Sequence, residues 1–341
     1  MLSSGAGTSH PGVPAGQEPW WARFVLAECL HNQLTPLQAA AFALHLEVAV
    51  PALAALGAEP VAAAQLVACP LRPAAGGVTA TPAPAGTALG GAALDCAALD
   101  GVLLDGGSGP YPLSDGGRTA LVPLAPRPGA DPGLRTTALI ALDQPRVSVR
   151  PAGPGLADLR LTGLAVPGDQ LLPIRPEWPL AAEVWIAVHR VATAQGLLAD
   201  AHRHATSRSS LGAPLWEHQW VKFGIAQSVA QVDGVRQLVR HAARQAGLGR
   251  CAPELAAAAG LRSARLLNTV SAHCLQLRGA SGHVQARRLQ EVLMESRLLT
   301  AASQVEGRAR DTFAALAAAN TAAAAAVAAA NAANTVNAGG R

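Results

Sequence analysis

Apolar positions in the second half of the chain recur at helical spacing. Over residues 182–207 they fall at Val184, Ile186, Val188, Val191, Ala194, Leu197, Leu198 and Ala201, one face of a single helix. Over 220–246 the same spacing returns through Val221, Ile225, Val229, Val232, Val235, Leu238 and Val239. A third helix is predicted over 263–275 and a fourth from about Arg287. Four long helical patterns within 176–315 predict a bundle.

The pattern is different upstream. Residues 20–66 read as helical through Trp21, Phe24, Val25, Leu26, Leu30, Leu37, Ala40, Ala41, Leu44 and Val48. Pro36 marks a helix start there, and Pro51 and Gly57 mark breaks. Residues 67–175 are rich in glycine and proline, with short apolar runs at 101–104, 119–122 and 138–141. These predict strands of a small antiparallel sheet or barrel. The stretches 106–109 and 115–117 read as turns and not as phosphate loops, because no helix follows either. Asp143, Asp158 and Asp169 read as loop acids. Residues 1–19, rich in Gly, Ser and Pro, are expected to be disordered, and 316–341 form a low-complexity Ala/Asn tail, helical where alanine dominates. The fold class expected is α+β.

Composition narrows the function. Half of the 341 residues are hydrophobic and 14% are charged, enough for a sizeable core although alanine inflates the figure. The net charge is +4, and Lys222 is the only lysine. Basic residues are scattered without an aromatic platform, which argues against nucleic acid. No strongly apolar run reaches the length of a membrane span. Five cysteines, odd in number and without a Cys-x-x-Cys pair, point to a reduced, cytoplasmic setting. Cys274 reads as a small buried hydrophobe. His202 and His204 lack an acidic ligand set and read as a solvated face, so no metal site is expected.

Two polar turns carry the candidate chemistry. One runs from Arg208 through Gly212 and Pro214 to His218 and Gln219, between two helices. An arginine with imidazole and amide donors suits a pyrophosphate, which takes forked donors and a fixed cation. The same composition also fits a polar turn with no ligand. The second turn holds Gln276, Gly279 and Gly282.

Together these residues resemble the acyl-CoA dehydrogenase family. That family carries Arg-x-x-Phe-Gly-x-x-Leu-x-x-x-Gln between two helices and, further on, Gln-x-x-Gly-Gly-x-Gly. Here the matching residues are Arg208, Leu211, Gly212, Leu215 and Gln219, then Gln276, Gly279 and Gly282. Residues 160–172 are similar to the family's strand-and-exit segment, and roughly 25–315 can be laid on the family. The resemblance implies a helical part (20–66, short for the family), a middle antiparallel β-domain (67–175) and a C-terminal four-helix bundle (176–315). It also implies FAD, an acyl-CoA or acyl-carrier thioester as substrate, and an electron-transfer acceptor. Arg208, Leu211, His218, Gln219, Gln276 and Gly279 take the places that hold the adenosine-diphosphate half of the FAD bound by a neighbouring subunit. Leu211 stands for an aromatic residue and Ala280 for the second glycine.

The other half of the site departs from the family. The family's reaction removes an α-proton with a glutamate. By count from Gln276 and from Arg208, its two base positions fall on Ser303 and Ala182, and neither is a carboxylate. Glu183 and Glu306 stand near them in sequence, but one residue is a turn of about 100° on a helix. They read as surface or helix-end glutamates. The family's Thr-Glu-Pro loop at the flavin ring is replaced by residues 68–77, without the acid or the hydroxyls, and no tryptophan lies between Trp21 and Trp178. A chain that keeps one half of the site and lacks the other implies a subunit that completes the site of a full-length acyl-CoA dehydrogenase-like partner. Two rivals stay open: a self-sufficient homomer whose base is relocated to Glu183 or Glu306, and a non-catalytic scaffold retaining the fold.

Overall fold

The structure is a computed structural model that describes residues 20, 24–25, 29, 33–54, 67–71, 78–82, 102–112, 118–125, 135–175, 177–210, 212–284 and 286–338. The expectations for 1–19, for Trp21, Leu26, Leu30 and Gly57, for 115–117 and for Leu211 lie outside them.

Helix α1 (Pro36–Leu44) starts where proline predicted. Thr35 Oγ1 accepts the Gln38 N–H (3.4 Å) and Gln38 Oε1 accepts the Thr35 N–H (3.0 Å), a reciprocal capping box. The expected break at Pro51 does not occur. A π-helical turn (His45–Ala49) leads directly into α2 (Val50–Ala54), which contains Pro51. A proline has no N–H to donate and its ring crowds the preceding turn; the wider π turn just before it eases that conflict. Pro36–Ala54 is long and apolar enough to cross a membrane, yet 61% of its apolar window is buried here. Its Leu37, Leu44, Val48 and Leu53 share a core with the bundle, as a core helix does.

Two four-stranded sheets follow. The first has the order β1 (Val67–Ala68), β4 (Thr119–Pro123), β5 (Arg135–Ala141), β8 (Leu171–Ile174). The second has the order β2 (Thr79–Pro82), β3 (Val102–Pro112), β7 (Leu156–Val166), β6 (Val147–Gly153). All described pairings of these strands are antiparallel except β1 with β4. The first sheet is the middle layer. On β4, Ala120 and Val122 point into the core shared with the second sheet, while Leu121 between them points into the helical core. That is the two-residue period of a strand buried on both faces.

Residues 106–109, expected as a turn, lie inside β3. Its register with β7 shifts between Leu104 and Gly106 and again between Ser108 and Tyr111, so bulges absorb the glycines. Gly109 is needed there: a Cβ would collide with the Asp158 carboxylate and stand 3.0 Å from its Cα. Asp158 itself belongs to β7, not to a loop. Beside it Tyr111 is fully buried, with its hydroxyl 2.8 Å from Ser108 Oγ and donating to the Leu121 carbonyl at 3.2 Å.

The bundle helices are α3 (Glu177–Ser207), α4 (Gln219–Gly247), α5 (Pro253–Arg278) and α7 (Arg287–Ser303), with a short α6 (Ala280–Val284) before the last. Helix α5 begins ten residues earlier than expected, at a proline in its first turn. Beyond α7 a single left-handed residue, Gln304 (φ 49°), separates it from α8 (Val305–Ala338), which runs into the alanine-rich tail.

Candidate functional site

The first polar turn is built by the end of α3. The Arg208 N–H still donates to the His204 carbonyl (2.9 Å), so Arg208 completes the last helical turn. A two-stranded hairpin follows, β9 (Ser209–Ser210) with β10 (Ala213–Pro214), and Gly212 at φ +84° lies in its turn. The Leu215 N–H returns to the Arg208 carbonyl at 2.7 Å. A 3₁₀ turn (Leu215–Glu217) then delivers His218 as the N-cap of α4, with Nε2 3.3 Å from the Ser210 carbonyl. One hairpin therefore holds Arg208 and His218 together, with Gln219 exposed beside them.

The second turn ends α5. Gln276 is exposed, and its carbonyl accepts the Gly279 N–H at 3.1 Å. Gly279 has φ +54° and ψ −138°, with open space where a side chain would stand, and Gly282 donates back to its carbonyl at 3.0 Å. Helices α3 and α5 run in the same direction. Arg190 donates to the Gly260 carbonyl (3.3 Å) toward their starts, and the Cys274 thiol meets the Leu197 carbonyl (3.5 Å) toward their ends. Both polar turns therefore emerge at one end of the bundle. Burial lowers the His204 pKa, and the positive charges of Arg278 and Arg208 lower it further. Sequence reasoning did not single out Arg278, and it read half-buried His204 as part of a solvated face. The signals were a second arginine two residues after Gln276 and a histidine one helical turn before Arg208.

The expected base positions lie elsewhere. Ala182 is fully buried, and buried Ser303 bonds only locally, to the Thr300 carbonyl at 3.4 Å. Glu306 is on the surface, paired with Arg265 (3.0 Å) and Arg310 (3.8 Å). Glu183 is not a surface glutamate: its side chain is only 13% exposed and meets Arg308 Nη1 at 3.1 Å. It sits against Gly260, where a Cβ would approach its Cδ to 3.0 Å. Arg308 Nε also donates to the Ser303 carbonyl (3.0 Å), tying α8 back to the end of α7. Buried Arg190 completes the group; burial brings its pKa down to about 10, and the Glu183 charge opposes that shift.

Of the stretch matched to the family's flavin-ring loop, residues 68–71 are described. Cys69 and Leu71 are buried, and burial pushes the Cys69 thiol up to about 12. Cys69, with Leu44, Val48, Pro70, Leu121 and Pro179, borders a cleft of about 30 Å³, whose only lining residue with a hydroxyl is Thr137. That volume holds about one water. At the bundle end, by contrast, Arg208, Gln219 and Gln276 are exposed. Among the described residues no group of three or more His, Cys, Asp or Glu could hold a metal.

An N-terminal helical segment, a two-sheet middle layer and a C-terminal bundle with these turns make the acyl-CoA dehydrogenase fold. Residues 183–314 match the family model for the acyl-CoA dehydrogenase C-terminal domain. Butyryl-CoA dehydrogenase from Megasphaera elsdenii superposes with a TM-score of 0.72 at 17% identity, over 87% of this chain and 82% of that one. The ChsE4–ChsE5 complex from Mycobacterium tuberculosis gives 0.67 at 18%, over 87% and 80%. An acyl-[acyl-carrier-protein] dehydrogenase, MbtN of Mycobacterium sp. (strain MCS), is 31% identical over 170 residues, 45% of this chain and 43% of the relative. The chain thus aligns with less than half the length of that curated relative.

Proposed function

We propose that the chain is the base-lacking subunit of a hetero-oligomeric, FAD-dependent dehydrogenase that desaturates an acyl thioester. One observation carries the reading. Arg208, His218, Gln219, Gln276 and Gly279 sit in two turns at one end of the bundle, while the stretch matched to the flavin-ring loop lacks the family's acid and hydroxyls. When bound, FAD would accept the hydride from the substrate's β-carbon. This chain's part is to hold the diphosphate and adenosine end: Arg208 supplies a forked cation, and the exposed amides and the open backbone at Gly279 supply donors. A full-length partner supplies the α-proton acceptor and the ring pocket. The ChsE4–ChsE5 structure offers a precedent for a complex of two different chains on this fold. MbtN, by its name, acts on a carrier-bound acyl group, which favours an acyl-carrier thioester over a free CoA ester.

The test is flavin content. Expressed alone, the chain should purify with little flavin; co-expressed with its partner, it should give a yellow complex holding fewer FAD than chains. One FAD per subunit in the chain purified alone would overturn the reading. One observation favours a second reading, in which the chain is a self-sufficient dehydrogenase: Glu183 adjoins Ala182 and is linked through Arg308 to the Ser303 carbonyl.

A further inference from the structure

We propose that the outer face of α4 is a self-association surface, on which two copies of this chain pair their α4 helices antiparallel about a two-fold axis at Gln227. The proposal goes beyond the cofactor reading and does not depend on it. Helix α4 buries Val221, Ile225, Ser228 and Val232 against the bundle. Trp220 and Phe223, three residues apart on the same helix, are 61% and 64% exposed. Single exposed apolar side chains are ordinary, but two large aromatics one turn apart make a patch. The stripe continues through exposed Gln227 and Ala230 to exposed Gly234.

Gly234 points the same way. It lies in the middle of a long helix, and a Cβ there would meet no atom within 4 Å. Glycine weakens a helix interior, and no packing inside the chain requires one at this place. A bulky side chain from outside, seated where the Cβ would stand, accounts for it.

A two-fold contact is self-complementary: where residue i of one copy meets residue j of the other, j also meets i. Centred on Gln227, an antiparallel pairing sets Trp220 of each copy over Gly234 of the other, each seven residues from the axis, and Phe223 over Ala230. The same register brings Lys222 of each copy beside Asp233 of the other, on one flank of the stripe. These two are exposed, opposite in sign, and the only charged residues between Gln219 and Val235. Large side chains therefore face small ones and positive faces negative in a single register. A second copy of this chain requires that match within one helix; an unrelated partner does not.

The experiment is sedimentation of the full chain over a range of concentrations, with circular dichroism to check each fold. Wild type should dimerise reversibly. Phe223→Glu should weaken the dimer by roughly a hundred-fold or more, because each copy loses an aromatic anchor and buries a charge. Gly234→Leu has room in the single chain, so it should keep the fold and weaken the dimer comparably. Lys222→Asp and Asp233→Lys each set like charges at both symmetry-related places and should weaken it by about ten-fold. Mixed one to one, these two variants form opposite-charge pairs at both places, so the mixed dimer should recover wild-type affinity. A chain that stays monomeric up to its solubility limit overturns the proposal, as does a dimer that survives both Phe223→Glu and Gly234→Leu. Charge variants that dimerise like wild type, or that do not recover on mixing, overturn the register. A complex with one copy of each chain, in which α4 is covered by the full-length partner, overturns the second copy as the occupant. If Phe223→Glu misfolds, Gly234→Leu and the mixing of the charge variants decide the question.

Discussion

Breaking the Glu183–Arg308 pair separates the two enzymatic readings of this chain and tests the packing argument as well. The carboxylate is 13% exposed and the guanidinium 36%, so the pair lies between a buried and a surface ion pair. Removing one partner of a fully buried pair costs about 3–5 kcal/mol, and an exposed pair is worth about 0–1 kcal/mol. Scaled for Arg308's access to water, Glu183→Gln should cost about 1–3 kcal/mol. Part of that loss falls on Arg190, which is buried and loses its nearest negative charge. Arg308→Met should cost a similar amount, plus about 1 kcal/mol for the lost bond to the Ser303 carbonyl. In a double-mutant cycle the two changes should couple by about 1–2 kcal/mol. Urea unfolding followed by far-UV circular dichroism measures each corner. Coupling below about 0.5 kcal/mol would refute the claim that Glu183 is held by Arg308. The same variant is then assayed for turnover with an artificial electron acceptor, in the complex and as the chain alone. A paired glutamate that takes no part in chemistry leaves the complex within a few-fold of wild type. A loss of about 10²–10⁴-fold, typical of a missing general base, would make Glu183 the proton acceptor and sink the partner reading.

Other outcomes follow from single features. Gly279→Ala should destabilise the chain by about 1–3 kcal/mol, because the strain is in the backbone at φ +54° and no neighbouring atom blocks the new methyl; an unchanged melting temperature would contradict it. Cys69 and Cys274, buried with thiols raised to about 12, should resist a thiol reagent at pH 8 until the protein unfolds, whereas exposed Cys29 should label at once. His204 and His273 have native pKa values held below 6.5, chiefly by burial. The unfolded chain then binds protons that the native chain refuses, so stability should fall as pH drops below about 6.5; a flat profile between pH 7 and 5 would count against both assignments.

The helices were legible because their apolar spacing and their punctuation agree. Pro36 and the Thr35–Gln38 box fix the start of α1 locally, and α4 keeps one buried face, whereas α3 is buried on every side over residues 184–194. The sheets were legible only in part. Short runs such as 119–122 marked strands, but the parallel contact of β1 with β4 joins segments far apart in the chain, and no local pattern encodes it. Glycines at 106–109 read as a turn because a single sequence does not show that Asp158 and a bulged partner strand hold them extended. The site divides along the same line. Motif spacing singled out Arg208, Gln276 and Gly279, whose turns leave the bundle at one end. The burial of Glu183 depends on Arg308, more than a hundred residues away on another helix, so sequence placed it on the surface.

The two ends of the candidate site differ in a way that folding alone does not explain. At the ring end the described residues favour packing: Cys69 and Leu71 are buried, and the cleft beside Cys69 is about the size of one water. Those residues need no ligand to account for them, because a filled apolar contact is stabilising by itself. At the bundle end the balance is reversed. A glycine at positive φ with nothing beside it and exposed amides each lower stability or leave it unchanged. A structure shaped only to keep its fold gains nothing from that arrangement, so the non-catalytic scaffold reading accounts for the first end and not the second. A chain that grips a diphosphate while another subunit surrounds the reactive ring accounts for both.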